Sequence, residues 1–126
     1  MDDSDDKKVV LIVEDDPALA SLYSEKFKKE GFSTLIARDG AEGLNMAITK
    51  NPNCILLDML LPKLNGIQVM EKILESPGGM KIPVVFLTNV AEKEEREQAF
   101  KLGAKDYLTK AMQSPDEIVD VVKKYL

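Results

Sequence analysis

From Lys8 onward, short apolar runs alternate with longer stretches in which apolar residues recur every three or four positions, a pattern that predicts repeated βα units. Five runs predict strands: Val9 to Val13, Ser33 to Ala37, Cys54 to Leu57, Ile82 to Leu87 and Asp106 to Thr109. Two of them, VVLIV and IPVVFL, are apolar on consecutive residues, as befits central strands covered on both faces. Between the strands lie helices with readable ends. Asp16-Pro17 offers an N-cap followed by proline at the first helical position, Leu19, Leu22, Tyr23 and Phe27 form the stripe, and Gly31 closes it. The second helix carries Ala41, Leu44, Ala47 and Ile48 and stops before Asn51-Pro52. A third starts near Gly66, turns Ile67, Met70, Ile73 and Leu74 inward, and ends at Ser76-Pro77-Gly78-Gly79. The last opens on Ser114-Pro115-Asp116-Glu117, a capping box, and buries Ile118, Val119, Val122 and Leu126.

The fourth helix differs. Its first turns read Glu92-Lys93-Glu94-Glu95-Arg96-Glu97-Gln98, with apolar residues only at Val90 and Ala91 before and at Ala99, Phe100 and Leu102 after. Helix propensity is high but little apolar area ties its start to the sheet, so this is the expected site of least helical stability. The alternation as a whole predicts an α/β fold with a doubly wound parallel sheet.

In such a sheet ligands bind beyond the carboxyl ends of the strands. The first strand ends in Glu14-Asp15-Asp16, the third in Asp58, the fourth in Thr88 and the fifth in Lys110. Singly, each has an ordinary explanation: Asp16 before Pro17 is a helix cap, Thr88 a strand-end hydroxyl, Lys110 a solvated charge. Asp58 is harder to dismiss, because Cys-Ile-Leu-Leu precedes it and Met59, Leu60 and Leu61 follow, so it is expected to be shielded from water. Jointly they point to a site. Carboxylates so close repel one another and a hard divalent cation relieves this; an all-oxygen set suits Mg²⁺. A metal-bound aspartate can take a phosphoryl group, whose oxygens then need a lysine and a hydroxyl donor.

Composition narrows the alternatives. A chain of 126 residues, 44% apolar and 31% charged, is the size of one globular domain. No apolar run approaches the roughly 18 residues of a membrane span, and the acidic N-terminus is unlike a secretory leader. The single Cys54 excludes an internal disulfide, and the lack of histidine excludes most zinc sites and every Ser/His or Cys/His catalytic pair. A cytoplasmic, carboxylate-based chemistry is left. Of 22 acidic and 17 basic residues, Asp2, Asp3, Asp5 and Asp6 lie in the first seven positions, a segment expected to be disordered, with the folded domain spanning residues 8–126. Without those four the balance is 18 against 17, and with no basic stripe the domain is not expected to bind nucleic acid.

Four motifs now carry a resemblance: Leu-Ile-Val-Glu-Asp-Asp-Pro, Leu-Leu-Asp-Met-Leu-Leu-Pro followed by Asn65-Gly66, Val-Phe-Leu-Thr, and Gly-Ala-Lys-Asp-Tyr-Leu-Thr-Lys. Over residues 8–126 the chain resembles a response regulator receiver domain of two-component signalling, similar to the single-domain chemotaxis regulator. The resemblance implies a flavodoxin-like (βα)5 fold with sheet order 2-1-3-4-5. It further implies Asp58 as phosphoacceptor, Mg²⁺ held by Asp15, Asp58 and the backbone carbonyl of Leu60 with Glu14 acting through water, and Lys110 and Thr88 on the phosphoryl oxygens. Thr88 and Tyr107 are implied to switch together, the ring turning inward; read without the family, Tyr107 is an amphipathic residue at the sheet edge. The implied donor is the phosphohistidine of a sensor histidine kinase or a histidine phosphotransfer protein. The implied output is a downstream protein or a homodimer on the face of the fourth helix, fifth strand and fifth helix, with no effector domain after Leu126 unless the chain is a piece of a larger regulator. Such a chain is a switch, not an enzyme beyond its own phosphotransfer and dephosphorylation.

Departures from the family pattern matter as well. Ala111 follows Lys110 where proline is usual, so the peptide bond is expected to be trans; Asn89 follows Thr88 where a small residue is usual and is expected to narrow access to Asp58. Leu60 and Val90 cannot orient a hydrolytic water, which predicts a long-lived phosphoryl group. Two rivals share parts of this pattern. A flavodoxin-type flavin carrier needs a Ser/Thr/Gly-rich phosphate loop where Glu14-Asp15-Asp16 stands, and an aspartate-nucleophile phosphatase needs a general acid where Leu60 stands. A binding module that has lost phosphorylation is disfavoured by the intact acid set.

Overall fold

The computed structural model describes residues 7–89 and 92–126. Strands β1 (Val9–Val13), β2 (Ser33–Ala37), β3 (Cys54–Asp58), β4 (Val84–Thr88) and β5 (Asp106–Thr109) form one parallel sheet in the order β2-β1-β3-β4-β5. Helices α1 (Pro17–Lys29), α2 (Gly40–Lys50), α3 (Gly66–Glu75), α4 (Lys93–Lys101) and α5 (Pro115–Lys123) connect and follow them, with a 3₁₀ turn at Gly79–Lys81. This is the expected flavodoxin-like (βα)5 arrangement. No helix among the described residues is long and apolar enough to cross a membrane.

The consecutive apolar strand residues divide between two layers because successive side chains point to opposite faces. Leu11, Val13, Ile55, Leu57, Val84 and Phe86 pack with Ala47, Ile67, Met70 and Ile73. Val10, Ile12, Cys54, Leu56, Val85 and Leu87 pack with Tyr23, Phe27, Ile118, Val119 and Val122 on the other face. The sheet is therefore closed on both sides and only its strand ends are open to solvent chemistry.

Several boundaries and faces differ from the sequence reading. β4 starts at Val84, because Ile82 ends the 3₁₀ turn, donating its N–H to Gly79, and Pro83 has no N–H to give to the ladder. β3 extends to Asp58 itself. α2 buries Gly40, Gly43 and Ala47 while Ala41 and Ile48 face solvent: Gly43 lets this helix lie close to Val13 of the sheet and Gly40 close to Leu64, and an apolar count overlooks them. Leu22 is likewise exposed, its place in α1 taken by Ala20 and Ser24. α5 ends at Lys123, leaving Leu126 half-buried beyond it. The caps at Asp16 and Ser114 form as expected, Asn65 caps α3 in addition, and Asn65 and Ser114 form complete capping boxes. The expectation of a disordered start falls, apart from exposed Lys7, on residues outside those described, and so do Val90 and Ala91.

Candidate functional site

Parallel strands in register end together, which brings the polar strand-end residues to one edge. Asp58 closes β3 opposite Leu87, Thr88 closes β4 opposite Thr109, and Lys110 follows β5 with its N–H on the Thr88 carbonyl at 2.7 Å. Glu14 follows β1 and extends its pairing with β2, donating its N–H to Ala37 at 3.0 Å. Glu14, Asp58 and Thr88 are buried, at 2%, 5% and 1% exposure, while Asp15 is exposed.

Lys110 holds the centre of this edge. Its Nζ lies 2.6 Å from Glu14 Oε1 and 3.0 Å from Asp58 Oδ2. The Glu14 contact is an ion pair without hydrogen-bond alignment, whereas that to Asp58 is a hydrogen bond. The remaining carboxylate oxygens are engaged locally: Glu14 Oε2 accepts the Asp16 N–H at 3.1 Å and Asp58 Oδ1 accepts the Leu60 N–H at 3.3 Å. Burial pushes the Glu14 carboxyl above its ordinary pKa, opposed by Lys110 and the Asp16 N–H and reinforced by the Asp58 charge. Burial also works against the Lys110 ammonium, but its contacts with the Glu14 and Asp58 carboxylates prevail and raise its pKa. One oxygen from each of Glu14, Asp15 and Asp58 falls within 4.8 Å of the others, a hard-donor set suited to a divalent cation.

The loop after Asp58 is fixed from beneath. Gly66 N–H donates to the Met59 carbonyl at 2.8 Å, and a Cβ at Gly66 would come within 2.5 Å of the Asp58 carbonyl oxygen and 2.9 Å of the Phe86 ring. Only glycine lets α3 start so close to the strand exit. Further along, Gly40 at the start of α2 donates to the Pro62 carbonyl at 3.2 Å, and a Cβ there would collide with Leu64. Lys63, at φ 72°, reaches the α2 cap Asp39 at 3.3 Å.

The expected residues thus come together: Glu14, Asp15, Asp58, Thr88 and Lys110 share the edge, Leu60 follows Asp58 in the loop with its side chain 60% exposed, and Asp16 caps α1 through the N–H groups of Ala18 and Leu19. Tyr107 lies on the edge strand β5 and is buried, with its ring 6.2 Å from that of Phe86; its hydroxyl has no hydrogen-bond partner among the described residues. Burial, then the nearby Glu95 carboxylate, raise its pKa. The Lys110–Ala111 bond is trans, as all described peptide bonds are, and Asn89 is exposed. Sequence reasoning missed Tyr23, which looked like one more stripe residue yet lies buried close enough to Glu14, Asp58 and Lys110 to feel their charges. It named Gly66 only as a helix start and part of a motif, without its contact with the Asp58 carbonyl, and it missed Gln113. The glycine after a strand-end loop was a readable signal; Gln113 offered none.

Comparison with known proteins bears on this geometry. The family model of the response regulator receiver domain matches residues 10–123. The chain is 37% identical over 117 residues to the transcriptional regulatory protein SrrA of Staphylococcus aureus, covering 93% of this chain and 47% of that protein. It spans less than half the length of the curated relatives it matches, 42%, 48% and 47% of three of them. Among solved structures it resembles the receiver domain of the Francisella response regulator 1452, with TM-score 0.85 and 31% identity over 94% of this chain and 96% of that one. It also resembles the receiver domain of sensor histidine kinase PA1611 from Pseudomonas aeruginosa PAO1, with TM-score 0.84 and 25% identity over 94% and 97% of the two chains. That structure has a magnesium ion coordinated in its active site cleft. The sheet order agrees with these matches, and the chain belongs to the response regulator receiver domain family, the phosphorylation-dependent signalling switches of two-component systems.

Proposed function

We propose that Asp58 is the phosphoacceptor of this switch, taking its phosphoryl group from the phosphohistidine of a sensor histidine kinase or a histidine phosphotransfer protein. The observation that carries this reading is a buried carboxylate at the open end of the central strand, bonded to Lys110 and within 4.8 Å of two further acids. These 126 residues contain no histidine, so the donor histidine lies outside them.

In the transfer an Asp58 oxygen attacks phosphorus, the P–N bond to the donor imidazole breaks, and the nitrogen leaves with the electron pair and is protonated from solvent. Lys110 Nζ then neutralises charge on the phosphoryl oxygens and the Thr88 hydroxyl donates to one of them. The donor set fits Mg²⁺: Asp15 and Asp58 would be direct ligands with the Leu60 carbonyl, and Glu14 would act through water. A divalent cation bound there supplies charge neutralisation for the attacking carboxylate and the incoming phosphoryl group.

Output is assigned to the face of α4, β5 and α5, where Thr88 and Tyr107 pass the change of charge to a weakly anchored helix that a downstream protein or a second copy reads. The balanced charge of the domain favours protein over nucleic acid as its own contact, and reduced, buried Cys54 suits the cytoplasm. The exposed apolar Leu60 leaves no group there to activate water, so the phosphoryl group is long-lived; a half-life of seconds overturns this point. Treatment with acetyl phosphate and Mg²⁺ is expected to label one site stoichiometrically, and Asp58→Asn to abolish the label. Continuous turnover of small phosphate esters would overturn the switch in favour of a phosphatase.

A further inference from the structure

Lys110 stands at the end of an edge strand, and its following residues do little to hold it. Ala111 and Met112 are exposed, Met112 by 76%, and neither restricts the backbone as proline would. Yet the Lys110 ammonium has to meet two carboxylates at 2.6 and 3.0 Å. On its inner side the strand end is tied to β4 by the Lys110 N–H to Thr88 bond at 2.7 Å. On its outer side an edge strand has no neighbour to pair with.

Gln113 fills that place. Its side-chain Oε1 accepts the Thr109 N–H at 3.0 Å, while the Thr109 carbonyl accepts the N–H groups of Met112 and Gln113 at 3.2 and 3.1 Å. The residue immediately before Lys110 is thereby closed into a ring of three hydrogen bonds. Gln113 is itself held, because the next residue, Ser114, caps α5. Ser114 N–H donates to Glu117 Oε1 at 2.9 Å and Glu117 N–H to Ser114 Oγ at 3.2 Å, and the helix buries Ile118, Val119 and Val122. A continuous set of contacts runs from the core through α5, Gln113 and Thr109 to the lysine.

We propose that Gln113 is a positioning residue for Lys110, its side-chain oxygen clamping the outer edge of β5 so that the ammonium stays on Glu14 and Asp58. The value of a fixed Lys110 rests on the phosphoryl-transfer reading above; the clamp itself does not. The test compares the full chain with its Gln113→Ala, Gln113→Glu and Gln113→Asn variants. Nitrogen-15 NMR of the lysine ammonium groups, recorded without metal, reads Lys110 directly. A protected Lys110 ammonium is expected in the parent and in Gln113→Glu, which keeps the acceptor. Gln113→Ala is expected to move that signal to the values of free surface lysines, with Gln113→Asn in between. With saturating Mg²⁺, Asp58 labelling by acetyl phosphate is expected to slow about tenfold in Gln113→Ala and to recover in Gln113→Glu. A parent-like Lys110 signal in Gln113→Ala overturns the proposal even if that variant melts earlier, since the glutamine would then only stabilise a turn. Should Gln113→Ala not fold, a parent-like signal in Gln113→Asn overturns it equally. A displaced signal with unchanged labelling leaves the clamp standing and overturns the role given to Lys110 in transfer.

Discussion

Helices α3 and α4 follow neighbouring strands and are close in length, 10 and 9 residues, yet they are attached to the sheet in opposite ways. α3 opens with a complete Asn65/Gln68 capping box and buries Ile67, Val69, Met70 and Ile73. α4 opens at Glu92 with no side-chain cap, buries Ala99 alone, and leaves Phe100 partly exposed beneath the Arg96 guanidinium at 5.2 Å. Each large apolar side chain that α3 buries is worth roughly 1.5–3 kcal/mol, so the two helices differ by several such contributions. The difference teaches where a small input can act. On the α3 side Asp58 and its loop are held still, with Gly66 directly under the strand exit. On the α4 side little packing opposes displacement, so the phosphorylation proposed at Asp58 would have little to overcome there.

Four measurements would break or sharpen this contrast. The largest effect is expected from core truncation: Ile73→Ala should cost about 2–5 kcal/mol in urea unfolding, while Phe100→Ala should cost under about 1 kcal/mol. Equal losses would mean that α4 is anchored as firmly as α3. Next, Cys54 lies at the start of β3 with its thiol pushed by burial up to about 12, so thiol reagents should reach it only through global unfolding. Amides of residues 93–98 should exchange much faster than Cys54 is modified; similar rates would remove the distinction between local and global opening. A smaller effect is expected from giving α4 the cap it lacks. Glu92→Asp, at an extended residue suited to capping, should stabilise the helix by about 1 kcal/mol and slow exchange of its first turn.

The smallest effect concerns the exposed pair that ties the α3 side to α2. The Glu42 N–H, then Lys63, hold the Asp39 carboxyl below its usual pKa. A carboxylate with a depressed folded-state pKa contributes stability that is present above the ordinary carboxylate range and lost as pH falls through the lowered value. Lys63→Ala should therefore reduce stability slightly at neutral pH and leave it unchanged once Asp39 is protonated. A loss that persists in acid would point to the loop backbone in place of the charge.

The fold was legible because each layer of local evidence agreed: strands apolar on both faces, proline-led caps at Asp16 and Ser114, and Gly31 and Gly78 at positive φ where helices were expected to stop. The acid edge was legible because parallel strands end together, so Glu14, Asp15, Asp58, Thr88 and Lys110 could be placed at one edge by chain position. What escaped were close approaches. Ile48 looked like a core residue of α2 and is 48% exposed, because a helix that meets β1 through Gly43 against Val13, and the loop before α3 through Gly40 against Leu64, turns by an angle that an apolar count does not carry.

Sequence alone therefore determined the class of fold, the edge at which the acids and the lysine gather and the residue types available there, since these depend on periodicity, capping and strand direction. Tertiary structure decided which partners those groups have. That Lys110 sits between Glu14 and Asp58, that Tyr107 is buried against Phe86, and that Gln113 closes the outer edge of β5 follow from ångström-scale packing between elements distant in the chain. Such distances depend on the whole core at once, and short-range pattern holds no record of them.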